Sequence, residues 1–410
     1  MWLHETSQNE RKTLVAAFAG FGVDAFDTMI YTFVIPTLML EWGMSQAEAG
    51  TIATASLITS AIGGWAAGIL ADQYGRVRVL QWTVLWFTVF TFLAGFTDSF
   101  AQLLFTRAMQ GFGFGGEWSV GAVLVAEIVQ AKHRGQAAGL VQSSWAVGWG
   151  VAAVAFWASH ALLPAGQAWR VLFWLGILPA LLIFYIRRNL QEPAVFHATR
   201  AQVRAKGGGH PLQIFSAQLL PTTVFASLLS MGMMGAYYAV TTWLPTFLEA
   251  ERKLSVPRTS GYLLVLIAGS LLGYLVSAYL SDRLGRRPCF MLFAAGAGLL
   301  VYGYTHIPMS DPWTLLLGFT LGFFLSGIFS GMGAFLAELF PNELRGSGQG
   351  FCYNFGRATG ALFPALVGYL STRMPLGEAI GLLAAGGYLL VIAACVPLPE
   401  TRGRRLVARN

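Results

Sequence analysis

Five charged residues lie inside long apolar stretches of this chain: Asp24, Asp27, Arg107, Glu117 and Arg357. A charged side chain placed in a membrane span costs about 2.5 to 3.5 kcal/mol on insertion scales, so such residues are candidates for function by default. Carboxyl groups in this setting can hold and release a proton, and an arginine can bind an anion. The five residues therefore predict proton and anion chemistry inside a membrane.

The acidic candidates are the proton-coupling residues of this prediction. Asp24 and Asp27 are three residues apart and project from one side of a helix, where two carboxylates in a poorly solvated cavity should not both ionise easily. We expect Asp27 to carry the proton, because it lies deeper than Asp24 when the helix enters from the cytoplasm. Glu117 is expected near mid-membrane, with a role in proton or substrate handling. The alternatives are a structural aspartate pair and a structural glutamate.

Arg357 is the candidate for substrate recognition. Its planar guanidinium fork suits a carboxylate, and Asn354, one turn away, can hydrogen-bond a second group. The alternative is a structural pairing of Arg357 with a backbone carbonyl or with Glu117.

The composition places these residues in an all-α membrane protein. Of 410 residues, 55% are hydrophobic and only 11% are charged, whereas a soluble domain carries about 25% charged residues. Apolar stretches of about twenty residues recur, as a helix crossing about 30 Å of hydrocarbon requires, and we count twelve. The histidines fall at span ends or in loops, so no metal site, no cofactor and no membrane hydrolase is expected.

The basic residues set the expected orientation. If both termini are cytoplasmic, most of the 26 Lys and Arg fall in inner loops, as the positive-inside rule requires. The net charge of +7 then reflects topology and not nucleic-acid binding. The first apolar segment is too long for a cleavable signal peptide. We expect a multi-pass protein of the cell inner (plasma) membrane.

The chain repeats itself. A shift of 211 residues places Glu127 on Glu338 and Arg134 on Arg345. A polar interval divides the repeats, which predicts six-helix halves at residues 1–190 and 215–410 joined by a cytoplasmic linker at 191–214.

A second repeat carries a family resemblance. The segments 68–78 and 278–287 both contain Asp-x-x-Gly-Arg after an apolar span, and they resemble the signature cytoplasmic loop of the major facilitator superfamily. This resemblance implies two pseudo-symmetric six-helix halves that work by alternating access, with a cytoplasmic gate of charged residues. The gate residues by position are Asp72, Arg76, Glu127, Arg134, Asp282, Arg286, Glu338 and Arg345. The alternative is that these arginines only fix topology.

Three further segments resemble organic-acid symporters. The stretch around Asp24 and Asp27 is similar to the first helix of the aromatic-acid, sialate and lactate proton symporters, and Gly116-Glu117 is similar to a sialate-symporter segment. Gly356-Arg357 resembles an element whose arginine faces the central cavity. The resemblance implies that Arg107 pairs with Asp24 or Asp27. It also implies a pocket, whose expected members are Arg357, Asn354, Arg107, Tyr31, Gln142, Trp145, Tyr237, Tyr238 and Trp243.

These observations predict a monomeric, proton-coupled symporter that imports a small organic anion: a monocarboxylate, a sialate or an aromatic acid. Its expected partners are that anion, protons and the lipid bilayer. Efflux by a drug or metabolite antiporter is the alternative, but span five, around residues 147–152, lacks the Gly-Pro element of antiporters. A membrane-embedded enzyme would need a nucleophile with a base or a metal cluster, and a transporter-like sensor would need an added soluble domain.

Overall fold

The computed structural model describes residues 5–129, 134–178, 180–190, 211–307, 309–341 and 344–401, apart from a few side chains within them. In this part of the chain every regular element is helical. The α-helices are α1 (Gln8–Trp42), α2 (Gln46–Tyr74), α3 (Arg76–Ala94), α4 (Phe100–Ile128), α5 (Arg134–Leu162), α6 (Ala165–Leu175), α7 (Ala180–Asn189), α8 (Leu220–Ala250), α9 (Val256–Leu284), α10 (Arg286–His306), α11 (Asp311–Gly327), α12 (Met332–Leu339), α13 (Arg345–Gly360), α14 (Leu362–Leu370) and α15 (Leu376–Cys395). A 3₁₀ turn, Pro211–Phe215, precedes α8.

Within the described ranges, the helices group into twelve spans. Nine spans are single helices, and the pairs α6/α7, α11/α12 and α13/α14 each form one interrupted span. Among the described residues, eight helical segments are long and apolar enough to cross a membrane by length and composition alone. The prediction of an all-α, twelve-span protein is confirmed. The boundaries of the halves and linker stay predictions, because residues 191–210 lie outside the described part.

Local sequence explains where the first two helices begin. Ser7 and Glu10 form a capping box at α1, in which the Glu10 N–H donates to the Ser7 hydroxyl at 3.2 Å and the Ser7 N–H donates to the Glu10 carboxylate at 2.7 Å. Ser45 and Glu48 repeat this arrangement at α2. Each box satisfies amide groups that the first helical turn leaves without intrahelical partners.

A proline, Pro364, causes the break between α13 and α14. Pro364 has no N–H with which to bond the carbonyl of Gly360, so the α-helical ladder cannot continue unbroken across this point. Helix α13 ends at Gly360 and α14 begins at Leu362. This interruption lies one turn beyond Arg357.

The repeated Asp-x-x-Gly-Arg segments form matching turns. Gly75 between α2 and α3 has φ +104° and ψ 150°, and Gly285 between α9 and α10 has φ +109° and ψ 162°. A side chain is excluded from this backbone region, so both turns require glycine. The two halves therefore share a turn geometry as well as a sequence.

We call the face at which α1 begins the proximal face, and the face at which α1 ends the distal face. The halves meet where α1 packs on α8, α5 on α9, and α2 on α13 and α14.

Near the distal face the contact between the halves is close: the Thr54 hydroxyl donates to the Ala361 carbonyl at 2.6 Å, and the Ala365 N–H donates to the Thr54 hydroxyl at 3.2 Å. A Cβ built on Gly50 would lie 2.6 Å from the Pro364 carbonyl oxygen. Nearer the proximal face, Gly139 and Gly350 face open space. Among the described residues, the space between the two halves is therefore closed at the distal face.

Gly148 holds α5 against α1 beside the first aspartate, and we predict that Gly148→Ala destabilises the protein. A Cβ at this position would lie 1.8 Å from the backbone oxygen of Gly22, so the helices must separate. Overpacking of this kind costs about 1 to 3 kcal/mol. Gly150→Ala is the matched control, because its Cβ would make an ordinary 3.7 Å contact with Ile267. Melting temperature in detergent should fall clearly for Gly148→Ala only, and equal melting of the two variants would contradict this packing.

Candidate functional site

Two chambers lie one after the other between the halves. The proximal chamber is lined by Phe21, Phe114, Gln142, Trp145, Met234, Tyr237, Tyr238, Tyr274, Phe329, Tyr353 and Arg357. The distal chamber is lined by Thr28, Met29, Tyr31, Thr32, Ala53, Ser56, Leu57, Arg107, Phe114, Trp145, Tyr237, Tyr238, Thr241 and Thr242. Their empty volumes, counted with the space that is open to solvent, are about 410 and 460 Å³.

Arg357 is the cation of the proximal chamber. It is only 2% exposed, and its Nη2 donates to the Tyr353 hydroxyl at 3.3 Å. The guanidinium carbon lies 5.2 Å from the ring centre of Phe114 and 5.1 Å from that of Tyr353, within cation–π range of both. Tyr238 is a further neighbour of this guanidinium group. The arginine is thus held by aromatic side chains from both halves.

Asp27 and Arg107 form a buried ion pair between α1 and α4. The Arg107 Nη1 lies 3.3 Å from the Asp27 Oδ1, and the two side chains are 2% and 0% exposed. Gln110 donates a second hydrogen bond to the other carboxylate oxygen of Asp27 and accepts one from the Ser56 hydroxyl. Asp27 is therefore compensated in charge and in hydrogen bonding, as a stable buried carboxylate must be. The expected pairing of Arg107 is observed, with Asp27.

Asp24 has different surroundings from Asp27, although only three residues separate them. It is 1% exposed, and no backbone N–H, amide, hydroxyl or guanidinium group of a described residue donates to either carboxyl oxygen; its hydrogen-bonding neighbour is the Glu117 carboxyl group. Its charged neighbours are Glu117, which is 2% exposed, then Asp27 and Arg357. Ionising two neighbouring buried carboxyl groups together is strongly unfavourable, and a single shared proton relieves this repulsion. Asp24 and Glu117 form what we call the carboxyl pair.

The comparisons with known proteins place this architecture in a family. The family model described as Major Facilitator Superfamily matches residues 17–364 and 259–409. The chain belongs to this superfamily. It is a multi-pass membrane transporter and not an enzyme.

Several relatives of this transporter are named as transporters of small organic acids or related compounds. It is 41% identical over 402 residues to a "Probable 4-methylmuconolactone transporter" of Cupriavidus pinatubonensis, covering 98% of this chain and 93% of that one. It is 30% identical over 392 residues to a "Cis,cis-muconate transport protein" of Acinetobacter baylyi, covering 94% and 93%. The solved structure of the proton:xylose symporter XylE shares its fold, with a TM-score of 0.75 at 17% identity and 98% coverage of both chains.

The transporter's structure distributes the expected pocket residues unevenly. Tyr31 lines only the distal chamber, where its hydroxyl donates to the Ala49 carbonyl at 2.8 Å. Gln142 lines the proximal chamber, and Trp145, Tyr237 and Tyr238 line both.

Two expected pocket residues point elsewhere. Asn354 donates to the Gly350 carbonyl of its own helix at 3.0 Å, and Trp243 donates to the Pro364 carbonyl at 3.0 Å. Neither residue lines a chamber. Helical spacing placed Asn354 one turn from Arg357, but its amide is bound to the preceding turn.

Several site residues escaped the sequence analysis. Gln110 completes the Asp27 ion pair, and its position one turn after Arg107 was the available signal. Phe114, which lies in both chambers and against Arg357, had no signal beyond being one of 30 phenylalanines.

The expected gate at the proximal face is described for part of its residues. Arg286 and Glu338 form an ion pair of 3.3 Å between α10 and α12, and the Thr401 hydroxyl donates to Glu338 at 2.5 Å. Arg76 donates to the Ala71 carbonyl at 2.9 Å. Outside the described side chains lie the remaining gate residues Asp72, Glu127, Arg134, Asp282 and Arg345. The role of the gate stays a prediction.

In the part of the chain that the structure describes, no three His, Cys, Asp or Glu side chains come together as a metal site would require.

Proposed function

We propose that this transporter is a proton-coupled symporter that imports a small, flat organic acid anion by alternating access. The observation that carries the proposal is a buried arginine, Arg357, in an aromatic chamber beside the carboxyl pair. One site can thus bind an anion and a proton together.

The chamber's chemistry favours a flat, conjugated acid. Arg357 presents a planar fork that can bind both oxygens of a carboxylate. Around it stand aromatic rings, which suit a flat apolar body, and Gln142 also lines the chamber. A sialate or a sugar carries many hydroxyl groups, and burying these without partners would be costly. The names of the two relatives, a muconolactone and a muconate transporter, support the same substrate class.

Coupling follows from the neighbours of Arg357. When Asp24 is ionised, it competes with an incoming carboxylate for the field of the arginine, and Coulomb interactions of this kind are strong in a buried site. A proton shared between Asp24 and Glu117 removes this competition. The proton therefore binds first, and the anion is held tightly only while the proton is present.

Asp27 has a different proposed role. Its ion pair with Arg107 and its bond from Gln110 are complete, so loss of its charge would leave Arg107 buried and uncompensated. We therefore propose Asp24 and Glu117 as the proton carriers, and Asp27 with Arg107 as the pair that fixes α1 on α4.

Direction rests on the distribution of basic residues. With both termini in the cytoplasm of a cell whose inner membrane holds the protein, the proximal face is cytoplasmic. The closure between α2 and α14 then lies outside, and the structure represents an inward-facing state.

Counterflow with a panel of radiolabelled compounds tests the substrate class. Proteoliposomes are loaded in turn with cis,cis-muconate, 4-methylmuconolactone, nicotinate, lactate, N-acetylneuraminate, nicotinamide and xylose, and trace label is supplied outside. We expect exchange of the flat acids and little exchange of nicotinamide, N-acetylneuraminate or xylose. Exchange of nicotinamide as fast as nicotinate, or exchange of xylose alone, would contradict the proposal.

A further inference from the structure

A hydrogen bond crosses between the halves at the boundary of the two chambers. The Trp145 indole Nε1 on α5 donates to the Tyr237 hydroxyl on α8 at 2.7 Å. Both side chains are buried. The bond joins one side chain from each half, and no backbone group takes part in it.

Aromatic rings support both ends of this bond. The Trp145 ring lies 5.1 Å from Phe21 and 6.2 Å from Phe114, and the Tyr237 ring lies 5.0 Å from Phe329. The two ring pairs of Trp145 are tilted and the ring pair of Tyr237 is edge-to-face, so each partner of the bond is supported by rings on its own side. Rings can turn aside by changing rotamers, whereas a backbone contact could not open in this way.

The bond lies where the two chambers meet. Phe21 lines the proximal chamber and Thr28 the distal one, and their separation of seven positions along helix α1 corresponds to about 10 Å along its axis. Trp145 and Tyr237 border both chambers. Phe114 and Tyr238 border both chambers as well, so a ligand that moves from one chamber to the other passes among these four side chains.

We infer that the Trp145–Tyr237 hydrogen bond is an internal gate that separates the proximal chamber from the distal chamber. The inference goes beyond the proposed function, because it requires neither an acidic ligand nor a proton. In this inference, Trp145 and Tyr237 control the movement of a ligand between the chambers and do not only bind it.

Thiol labelling tests the gate without any substrate. Ala53 lines the distal chamber on α2, and Ala53→Cys places a small reactive group there. The probe is 2-sulfonatoethyl methanethiosulfonate, a small anion, applied at the proximal face of the full-length protein in vesicles of determined orientation. After the probe has reacted, a fluorescent maleimide labels the thiols that remain free, so loss of fluorescence measures the extent of the probe reaction. The same measurement on the protein without Ala53→Cys gives the contribution of the native cysteines, which is subtracted.

In the Ala53→Cys protein, Tyr237→Phe should speed labelling about fivefold, as expected from loss of one neutral buried hydrogen bond. Trp145→Phe should do the same, and the double variant should add little. Tyr388→Phe and Trp149→Phe are the matched controls, since each removes a buried polar group with no hydrogen-bond partner among the described residues. Size exclusion confirms that each variant is folded.

Equal labelling rates in Tyr237→Phe, Tyr388→Phe and the parent would overturn the gate. Faster labelling in the controls as well would also overturn it, because that pattern reports general loosening. Counterflow of any acid is not needed for either outcome, so failure of the gate and failure of the proposed function remain separate results.

Discussion

Arg357→Ala is expected to weaken binding of the transported acid by about 100-fold or more, because removing one partner of a buried ion pair costs about 3 to 5 kcal/mol and each 1.4 kcal/mol is tenfold in affinity. The variant leaves Asp24 and Glu117 in the site without the guanidinium, so an anion would be repelled. Arg357→Lys keeps the charge but loses the planar fork and its aromatic contacts, so a partial loss is expected.

The measurement is the affinity of the best acid and of its uncharged amide for wild type and both variants, after size exclusion. A carboxylate receptor loses affinity for the acid far more than for the amide. Equal weakening for acid and amide would identify Arg357 as a structural residue and would remove the basis of the proposed recognition.

The second large effect is a difference between substitutions at Asp24 and at Asp27, which lie one helical turn apart. Asp24→Asn and Glu117→Gln should each abolish accumulation of the acid against its gradient, while exchange of the acid continues. No backbone N–H, amide, hydroxyl or guanidinium group of a described residue donates to Asp24, so asparagine breaks no ion pair there and removes the proton that Asp24 shares with Glu117.

Asp27→Asn should behave differently, because it takes the charge partner from Arg107. We expect a less stable protein and a low yield after size exclusion. Uphill accumulation under an imposed pH gradient and exchange at equal pH are measured side by side for all three variants. Folded Asp27→Asn that lacks accumulation, together with Asp24→Asn that retains it, would restore Asp27 as the carrier.

Much of the architecture could be predicted from the sequence because its signals are local. Apolar stretches of sufficient length give the spans, and the repeated glycines give the matching turns at Gly75 and Gly285. The interrupted spans were not predicted, since α13 and α14 together read as one apolar stretch. Pro364 marks that break, but prolines also lie inside the intact helices α1 and α8.

The candidate site likewise contains residues that could be predicted from the sequence and residues that could not. The unusual charges Asp24, Asp27 and Arg357 stand out wherever the background is apolar, so they could be found without a structure. Their partners could not, because helical spacing gives the side of a helix and not the residue opposite. Trp145 and Tyr237 come from different halves, and their contact depends on how the halves meet.

The central claim is that acid and proton move together, and substrate-driven proton movement tests it most directly. Lightly buffered proteoliposomes carry a pH dye inside, and a flat acid such as cis,cis-muconate is added outside with potassium and valinomycin clamping the voltage. The account predicts acidification of the lumen on addition of the acid, and none with Asp24→Asn. Entry of radiolabelled acid without acidification in wild type, or alkalinisation of the lumen, would contradict it.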